Sequence, residues 1–419
     1  MKFKNLNYLI GTVAVSRTIV ILLGLATITC IARFLGPELQ GEYAYINLSI
    51  NMLVTIFNFG VPTSLVYFIG RSYNNEEIRI VISNSYLLNF IFFLIGIFLT
   101  YVTIYHSSFK IEIKEVLTNY TIFSFVIISF LLKMMFNNTQ HIQLGKLQYK
   151  KYNYLAMAQA VINIFLVLIA IFLDCLTVEY VILSMIFSLI VVTFISFDSL
   201  RFHFADIKID VACKLFFYGI KSHLNNIISF LMYRTDLVLI GYFMGVKYVG
   251  LYSVIILVVE NLQVLTTSAA TVLFSKTANT TKKDEVGNIQ VIYKSCVILG
   301  LINFLIAISI FSFSEYIFNL LFGVEYLEGI KAFDVLIWVI VFSSFSKIIG
   351  SYFAGINKLE YNLYTAVLMF FLNMILNILL ISDYGILGAS LSTLVVTIVN
   401  SIIKFYLINN LRLSVSNEN

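Results

Sequence analysis

Long apolar stretches, separated by short polar ones, run through the whole chain. Each is about 20 residues or longer, which is the length that a helix needs to cross roughly 30 Å of hydrocarbon. The pattern predicts twelve membrane-spanning helices, at about 8–33, 43–69, 80–105, 116–137, 153–173, 177–197, 220–244, 249–273, 289–314, 332–355, 361–381 and 386–409. The first apolar run continues past Ile31, too long for a secretory signal peptide, so we expect a retained membrane helix.

The composition supports a membrane location. The chain is 60% hydrophobic and 12% charged, with a mean hydropathy of +0.94, whereas soluble domains carry about 25% charged residues. We therefore predict an all-α polytopic membrane protein without a soluble domain. The net charge of +5 is spread over short loops and forms no basic block, so we expect no nucleic-acid partner.

The positive charges indicate the orientation in the membrane. Most lysines and arginines outside the spans fall at the N-terminus, in the even-numbered loops and at the C-terminus, and few fall on the other side: Arg33, Lys110, Lys114, Lys247 and Lys331. Cytoplasmic loops carry the excess of Lys and Arg. Both termini are therefore predicted to lie in the cytoplasm.

No pattern of catalytic or metal-binding residues stands out. The four cysteines and four histidines are scattered, without CxxC or HExxH spacing, so we expect no metal site and no redox pair. The Gly145-Lys146 pair lacks the preceding glycine of a nucleotide-binding P-loop, so we expect no ATPase in this chain.

One short elbow occurs twice. FLGPELQGEYA at 34–44 aligns without gaps with FMGVKYVGLYS at 243–253, and the offset of 209 is half the chain. Tight turns need glycine, so unrelated hairpins can also look alike. One copy links spans 1 and 2 and the other links spans 7 and 8, so each follows the first span of a six-span half. We therefore predict a duplicated unit, with one six-helix bundle at 1–205 and the other at 206–419. Parallel repeats of this kind are related by a pseudo-two-fold axis along the membrane normal, with a central cleft between them.

These elbows, together with FGVEYLEG at 322–329 and NMILNILLISDYGILGASLSTLVV at 373–396, resemble the multidrug/oligosaccharidyl-lipid/polysaccharide (MOP) exporter superfamily. Twelve spans in about 420 residues look most like its Wzx-type O-antigen or capsule-repeat flippases. One departure is Ser382, where many relatives have a proline, and this puts only a local kink in doubt.

The resemblance implies a transporter rather than an enzyme, without a cofactor. It would move undecaprenyl-pyrophosphate-linked oligosaccharide repeat units from the cytoplasmic to the periplasmic leaflet by alternating access, driven by a proton or sodium gradient. The product would enter O-antigen or capsular polysaccharide biosynthesis. The expected partners are the lipid-linked glycan, membrane lipids, the polysaccharide polymerase and the chain-length regulator.

Charged residues inside predicted spans are candidate functional groups, because a charge in a membrane helix is costly. Arg17, Arg234 and Lys347 are the candidates for binding a diphosphate, since a guanidinium holds phosphate bidentately. In the superfamily, spans 1 and 7 line the cleft, which implies that Arg17 and Arg234 face each other. Asp236 and Glu260 are candidate sites for a coupling ion, with inter-helix hydrogen bonding as the alternative role.

Polar uncharged residues complete the predicted substrate site. Asn58, Asn225 and Asn226 are expected to form hydrogen bonds to sugar hydroxyls. Lys133 lies only four residues from the inner end of its span, so it is expected to extend its ammonium to the membrane surface and to have no role in transport.

Two other functions fit parts of the pattern. A multidrug/cation antiporter of the same superfamily should have a cavity dominated by acids, whereas here the basic residues outnumber Asp236 and Glu260. An O-antigen polymerase has a similar size and number of spans, but it carries large outer loops, and those predicted here are only about 4–17 residues long.

Overall fold

The computed structural model describes residues 3–72, 74–106, 120–196, 203–278 and 285–417. Within these ranges the secondary structure is helical and contains no strand. The prediction of an all-α polytopic membrane protein is confirmed.

Fourteen α-helices occur in the described ranges. They are α1 (Phe3–Phe57), α2 (Val61–Arg71), α3 (Asn75–His106), α4 (Tyr120–Gly145), α5 (Tyr149–Phe172), α6 (Val178–Ile195), α7 (Ile209–Met244), α8 (Val246–Leu262), α9 (Val264–Ala278), α10 (Glu285–Ser312), α11 (Ser314–Leu321), α12 (Ile330–Leu336), α13 (Val339–Gly355) and α14 (Leu359–Asn417). Short 3-10 helices lie at Phe204–Asp206 and Val324–Gly329.

The chain divides into two compact units, Met1–Phe230 and Leu231–Asn419, which we call unit 1 and unit 2. Unit 1 has an apolar core that includes Ile50, Leu65 and Phe130, all fully buried. Unit 2 has a core that includes Ile348 and Phe353. The predicted division into six-helix bundles at 1–205 and 206–419, with a pseudo-two-fold axis and a cleft, stays a prediction.

Several helices are long enough to cross a bilayer. Within the described ranges, seven helices pass a test of length and hydropathy, and the number rises to ten if each of three bent helix pairs is one span. The apolar part of α14 has 53 residues and consists of two helical segments that join at Gly385, whose φ of 59° and ψ of −139° are not helical. α14 thus covers two predicted spans. The count of twelve spans stays a prediction.

The two elbows have the same backbone conformation. Gly36 has φ 75° and ψ 172°, and Gly245 has φ 93° and ψ 175°. This region of backbone space is essentially restricted to glycine. At Gly36 the chain bends within α1, and at Gly245 it breaks between α7 and α8. The equivalent tyrosines, Tyr43 and Tyr252, are both buried. The sequence repeat therefore corresponds to a repeated local structure.

The predicted span 43–69 is not one continuous helix. α1 ends at Phe57 and α2 begins at Val61, with Phe59 at φ 44° and Gly60 at φ 70° between them. A Cβ on Gly60 would come within 2.1 Å of the Gly219 carbonyl oxygen, so glycine is required where α2 meets α7. The helix breaks because two consecutive residues have left-handed φ.

Two more predicted spans are bent in the structure. The span at 249–273 divides into α8 and α9 at Gln263, with an angle of 43°. The span at 332–355 divides into α12 and α13, and the angle there is 44°. Broken helices at membrane depth are tolerated where the freed backbone groups are buried in protein or line a cavity.

The segment between the predicted halves is shorter than the loop expected at 198–219, because α7 already begins at Ile209. It is anchored to α3. Arg79 donates from Nε to Oδ2 of the buried Asp206 at 2.5 Å. Asn84 donates to the Asp206 carbonyl at 2.9 Å and accepts from the Lys208 amide at 3.0 Å. The hydrogen bonds start α7 close to the N-terminal end of α3.

Candidate functional site

Unit 1 contains a cavity of about 390 Å³ whose mainly apolar wall carries a group of amide side chains. The polar residues on its wall come from α1, α4 and α5: Thr27, Asn47, Asn51, Lys133, Asn137, Gln159 and Asn163. None of the described residues that line it is acidic. Ligand pockets typically enclose about 300–1,000 Å³, so this cavity is large enough for a small ligand or one part of a larger one. We call it the amide cavity.

Lys133 of α4 lies in the wall of the amide cavity. Its Nζ donates hydrogen bonds to Oδ1 of Asn47 and to Oδ1 of Asn51, both at 3.0 Å. The two asparagines are one helical turn apart on α1, so they present their side chains on the same face. The expectation that Lys133 extends to the membrane surface is wrong, because neutral amides on a neighbouring helix already solvate its ammonium group.

A second cavity of about 330 Å³ adjoins the first and shares Val54 and Asn137 with it. Two predicted substrate residues, Asn58 and Asn226, line it together with His141 and His223. Asn58 lies in the break between α1 and α2, and its Oδ1 is buried without a hydrogen-bond partner in the described structure. The break therefore places an unsatisfied acceptor on a cavity wall.

The two histidines of this second cavity are held by local contacts. Nδ1 of His141 donates to the Asn137 carbonyl oxygen at 2.8 Å, so in the neutral ring Nε2 is the acceptor. His223 is buried, and its ring centroid lies 5.1 Å from that of Phe59. Like the amides, these groups suit hydrogen bonding to a polar, uncharged ligand.

Unit 2 contains a cluster of charged residues, which we call the ion-pair cluster. Arg234 of α7 binds Glu260 of α8 through both guanidinium nitrogens, NH1 to Oε1 at 3.1 Å and NH2 to Oε2 at 3.2 Å. Their side chains are 31% and 38% exposed. The pair is accessible, so a ligand can reach either partner.

Two further groups belong to the ion-pair cluster. Lys347 of α13 donates to Oε1 of Gln263, which lies in the break between α8 and α9, and its charge also interacts with that of Glu260. Asp236 is 5% exposed and accepts from the Leu237 amide at 2.8 Å. Glu260 is thus paired with Arg234 and interacts with the charge of Lys347, and Asp236 is more deeply buried.

Helix breaks position most of these groups. Arg234 is the first residue after a bend in α7, Glu260 lies in the last turn of α8, and Gln263 follows it. The breaks let three helices bring polar side chains together. They also explain why even spacing along an ideal helix did not predict the cluster.

The predicted site residues fall into three groups. The structure brings Arg234, Asp236, Glu260 and Lys347 together in unit 2, and it places Asn58 and Asn226 on one cavity of unit 1. The side chains of Arg17 and Asn225 lie outside the part of the chain that the structure describes. The predicted contact of Arg17 with the substrate path stays a prediction, as do the roles of all eight residues.

Sequence reasoning missed the residues of the amide cavity. Asn47 and Asn51 are spaced i, i+4, as are Lys133 and Asn137, and this spacing puts each pair on one face of a helix. Polar pairs at this spacing inside apolar spans were the sequence feature that could have predicted the cavity. Among the described residues, no group of three or more His, Cys, Asp or Glu side chains could hold a metal ion.

Comparison with known sequences gave two matches. A family described as polysaccharide biosynthesis protein matches residues 30–331. A relative from Haloferax volcanii, described as the probable low-salt glycan biosynthesis flippase Agl15, is 24% identical over 200 residues. That match covers 48% of this chain and 42% of the relative, so the chain spans less than half the length of the curated relative that it matches.

Two solved structures with the same fold are a multidrug transporter and a lipid flippase. An inward-facing multidrug resistance MATE family transporter of the MOP superfamily superimposes with a TM-score of 0.72 at 16% identity, covering 95% of this chain and 96% of that one. The lipid II flippase MurJ in an inward closed conformation gives 0.71 at 15% identity, covering 95% and 87%. At these identities the similarity concerns the fold.

Proposed function

The chain belongs to the polysaccharide biosynthesis protein family, and we propose that it is a flippase for lipid-linked glycans. The resemblance to the MOP superfamily is confirmed by the family match and by the fold of the solved transporters. The observation that carries the proposal is the amide cavity, which lies among the helices of unit 1. Polar groups in membrane helices are costly and mark substrate paths, and amides suit the hydroxyl groups of a glycan.

We further propose that the substrate is an oligosaccharide repeat unit linked to undecaprenyl pyrophosphate, as in Wzx-type flippases for O-antigen or capsule. Arg234 and Lys347, together with Arg17, would bind the diphosphate. Asn58, Asn225 and Asn226 would bind sugar hydroxyls. The polymerase and the chain-length regulator remain the proposed partners, and the membrane is the bacterial cytoplasmic membrane.

The ion-pair cluster suggests how substrate and coupling ion compete. The two terminal nitrogens of Arg234 already bind Glu260, so a diphosphate would have to compete with this carboxylate for that end of the guanidinium. In the proposed mechanism the diphosphate replaces Glu260 on Arg234, and the released carboxylate takes up a proton or sodium ion. Departure of that ion would restore the Arg234–Glu260 pair and release the diphosphate on the other side. Asp236 is the second candidate for the ion.

A cation antiporter is the main alternative. It needs acidic groups to bind a cationic substrate, but the described wall of the amide cavity carries one lysine and no acid. A polymerase is less well supported, because the solved proteins with this fold are transporters. The composition of the unit 1 cavities therefore favours a glycan.

Reconstitution tests the proposal. The full chain is placed in vesicles with an undecaprenyl-diphosphate-linked oligosaccharide, and an enzyme that cannot cross the membrane oxidises only the sugars exposed outside. Protein-dependent exposure of the inner pool supports the flippase. No exposure, combined with gradient-driven efflux of a cationic dye, would identify the antiporter instead.

The orientation is tested separately. With both termini in the cytoplasm, reporter fusions after Lys151, Lys214 and Lys283 should all report cytoplasm. A periplasmic signal at any of them would contradict the proposed topology.

A further inference from the structure

The amide cavity contains one cation that the diphosphate mechanism does not use. Lys133 is absent from the ion-pair cluster, and both of its hydrogen-bond partners among the described residues are neutral asparagines. An ammonium group inside a membrane protein is costly unless a partner or a cavity stabilises it. Here the neutral partners solvate the charge without cancelling it.

The geometry leaves room for an anion at Lys133. A lysine ammonium has three N–H donors, and two are used on Asn47 and Asn51. Within the described ranges the third has no protein acceptor, and the cavity wall has no carboxylate to take it. An oxyanion entering the cavity would complete the hydrogen bonding of the ammonium and neutralise its charge.

The charge on this wall matches a carboxylate better than a diphosphate. A diphosphate linked to lipid and sugar carries a negative charge on each of its phosphates, whereas the described wall offers a single positive charge. A carboxylate carries one negative charge, so its charge and that of Lys133 cancel. In the proposed mechanism, Arg234 and Lys347 of the ion-pair cluster offer two positive charges to the diphosphate once Glu260 has taken up the coupling ion.

The remaining wall is suited to a sugar ring. Asn163 accepts a hydrogen bond from Ser184 at 2.9 Å through its Oδ1, so its amide N–H₂ group stays available as a donor. Gln159 donates to Ser188 at 3.4 Å, so its carbonyl oxygen stays available as an acceptor. Together with Asn137, these groups offer both donors and acceptors to hydroxyls around a carboxylate.

We propose that the amide cavity is a subsite for an acidic sugar, whose carboxylate binds Lys133 and whose hydroxyls bind Asn137, Gln159 and Asn163. This inference rests on the proposed function, since it names the glycan class that the flippase selects. It adds a sugar-recognition site in unit 1 to the diphosphate site proposed for Arg17, Arg234 and Lys347.

Binding to the purified full chain in nanodiscs tests the subsite directly. The probes are D-glucuronate, D-glucose, in which a hydroxymethyl group replaces the carboxylate, and inorganic diphosphate. Wild-type protein should bind D-glucuronate about tenfold or more tightly than D-glucose, because the charged hydrogen bond is made only by the carboxylate.

Variants assign the preference to Lys133. Lys133→Met, of similar length and without charge, should reduce the affinity for D-glucuronate to that for D-glucose, and Lys133→Arg should restore part of it. Lys404→Met is the matched control, because Lys404 is a buried lysine of α14 that donates to the Ser346 carbonyl, away from the cavity. It should bind D-glucuronate as the wild type does.

Three results would overturn the subsite. They are equal binding of D-glucuronate and D-glucose by the wild type, unchanged D-glucuronate binding by Lys133→Met, and tighter binding of inorganic diphosphate than of D-glucuronate through Lys133. If Lys133→Met fails to reach the membrane, the comparison of D-glucuronate with D-glucose on wild-type protein still tests the subsite.

A transport experiment distinguishes a failure of the acidic-sugar subsite from a failure of the flippase proposal. Vesicles contain the same lipid diphosphate carrying either a neutral or an acidic glycan. Lys133→Met should slow the acidic glycan about tenfold and leave the neutral one unchanged. If wild-type protein moves neither glycan, the flippase proposal fails, whereas equal slowing of both would reject only the acidic-sugar subsite.

Discussion

The amide cavity of unit 1 and the ion-pair cluster of unit 2 use a lysine in opposite electrostatic settings. Lys133 donates to two asparagines, and no acid lines the described wall around it. Lys347 donates to Gln263 and shares the negative charge of Glu260 with Arg234. The first cation is solvated but uncompensated, and the second is part of a balanced group. The two regions are therefore suited to different steps of transport.

The sequence repeat identifies one position at which the amide cavity and the ion-pair cluster differ in charge. The elbows align at an offset of 209, and at the same offset Asn51 corresponds to Glu260. Asn51 accepts from Lys133 in unit 1, and Glu260 binds Arg234 in unit 2. At equivalent positions one unit has a neutral amide and the other a carboxylate. The cation beside the amide is uncompensated, whereas the cation beside the carboxylate is paired.

The largest effect is expected when Arg234 is removed from unit 2. Arg234→Ala takes away the bidentate donor for the diphosphate and leaves Glu260 without its pair. Losing one side of such a charged contact typically costs about 2–5 kcal/mol, or roughly thirtyfold or more at 1.4 kcal/mol per tenfold. Transport in vesicles should fall by at least this factor. Arg17→Ala carries the same expectation.

Two further variants control that experiment. Arg234→Lys should recover part of the activity, because the charge returns without the planar fork. Lys247→Ala breaks an exposed ion pair with Glu328 elsewhere in unit 2 and should leave transport near wild type. Wild-type transport by Arg234→Ala at normal membrane abundance would show that the ion-pair cluster does not hold the substrate.

An intermediate effect is expected when Glu260 becomes neutral. Glu260→Gln removes the competitor of the diphosphate, and accessible pairs of this kind contribute about 0.3–1 kcal/mol. Inorganic diphosphate should then bind about two- to fivefold more tightly, while transport loses its dependence on the ion gradient. Binding is measured by titration and coupling by imposing a gradient. Unchanged diphosphate affinity with intact coupling would assign Glu260 a purely structural role.

The smallest effect is expected from an amide of the unit 1 cavity. Asn163→Leu removes one neutral hydrogen-bonding group, worth about 0.5–1.5 kcal/mol. The affinity for D-glucuronate should fall about threefold, with a similar loss for D-glucose. Asn319→Leu makes the same change at an exposed position of α11 and should have no effect. A loss confined to D-glucuronate would place Asn163 beside the carboxylate rather than the hydroxyls.

The sequence predicted the parts of the molecule that depend on apolar length and on glycine. Helices of membrane-spanning length follow from hydrophobic runs that must satisfy their own backbone hydrogen bonds in lipid. The conformation shared by Gly36 and Gly245 follows from a backbone region that other residues avoid. The sequence identified four costly charges inside predicted spans, but it did not predict that they pair with one another. These charges are Arg234, Asp236, Glu260 and Lys347.

The role of Lys133 could not be derived from its distance to the end of a span. That distance gives the length that the side chain must extend to leave the membrane. It does not show which hydrogen-bond acceptors the neighbouring helices place near the ammonium. The asparagines that hold it are about 80 residues earlier in the chain. A contact at this separation depends on how α1 packs against α4, which one-helix periodicity does not specify.

Converting unit 1 to the electrostatics of unit 2 shows whether the uncompensated charge of Lys133 attracts an anion. Asn51→Glu places a carboxylate beside Lys133, at the position that corresponds to Glu260. Binding of D-glucuronate to the full chain in nanodiscs is then compared with wild type. We expect the preference for D-glucuronate over D-glucose to disappear, because Lys133 becomes paired, while binding of inorganic diphosphate stays at its wild-type level. An unchanged preference for D-glucuronate would contradict the claim that an uncompensated lysine makes the amide cavity an anion site.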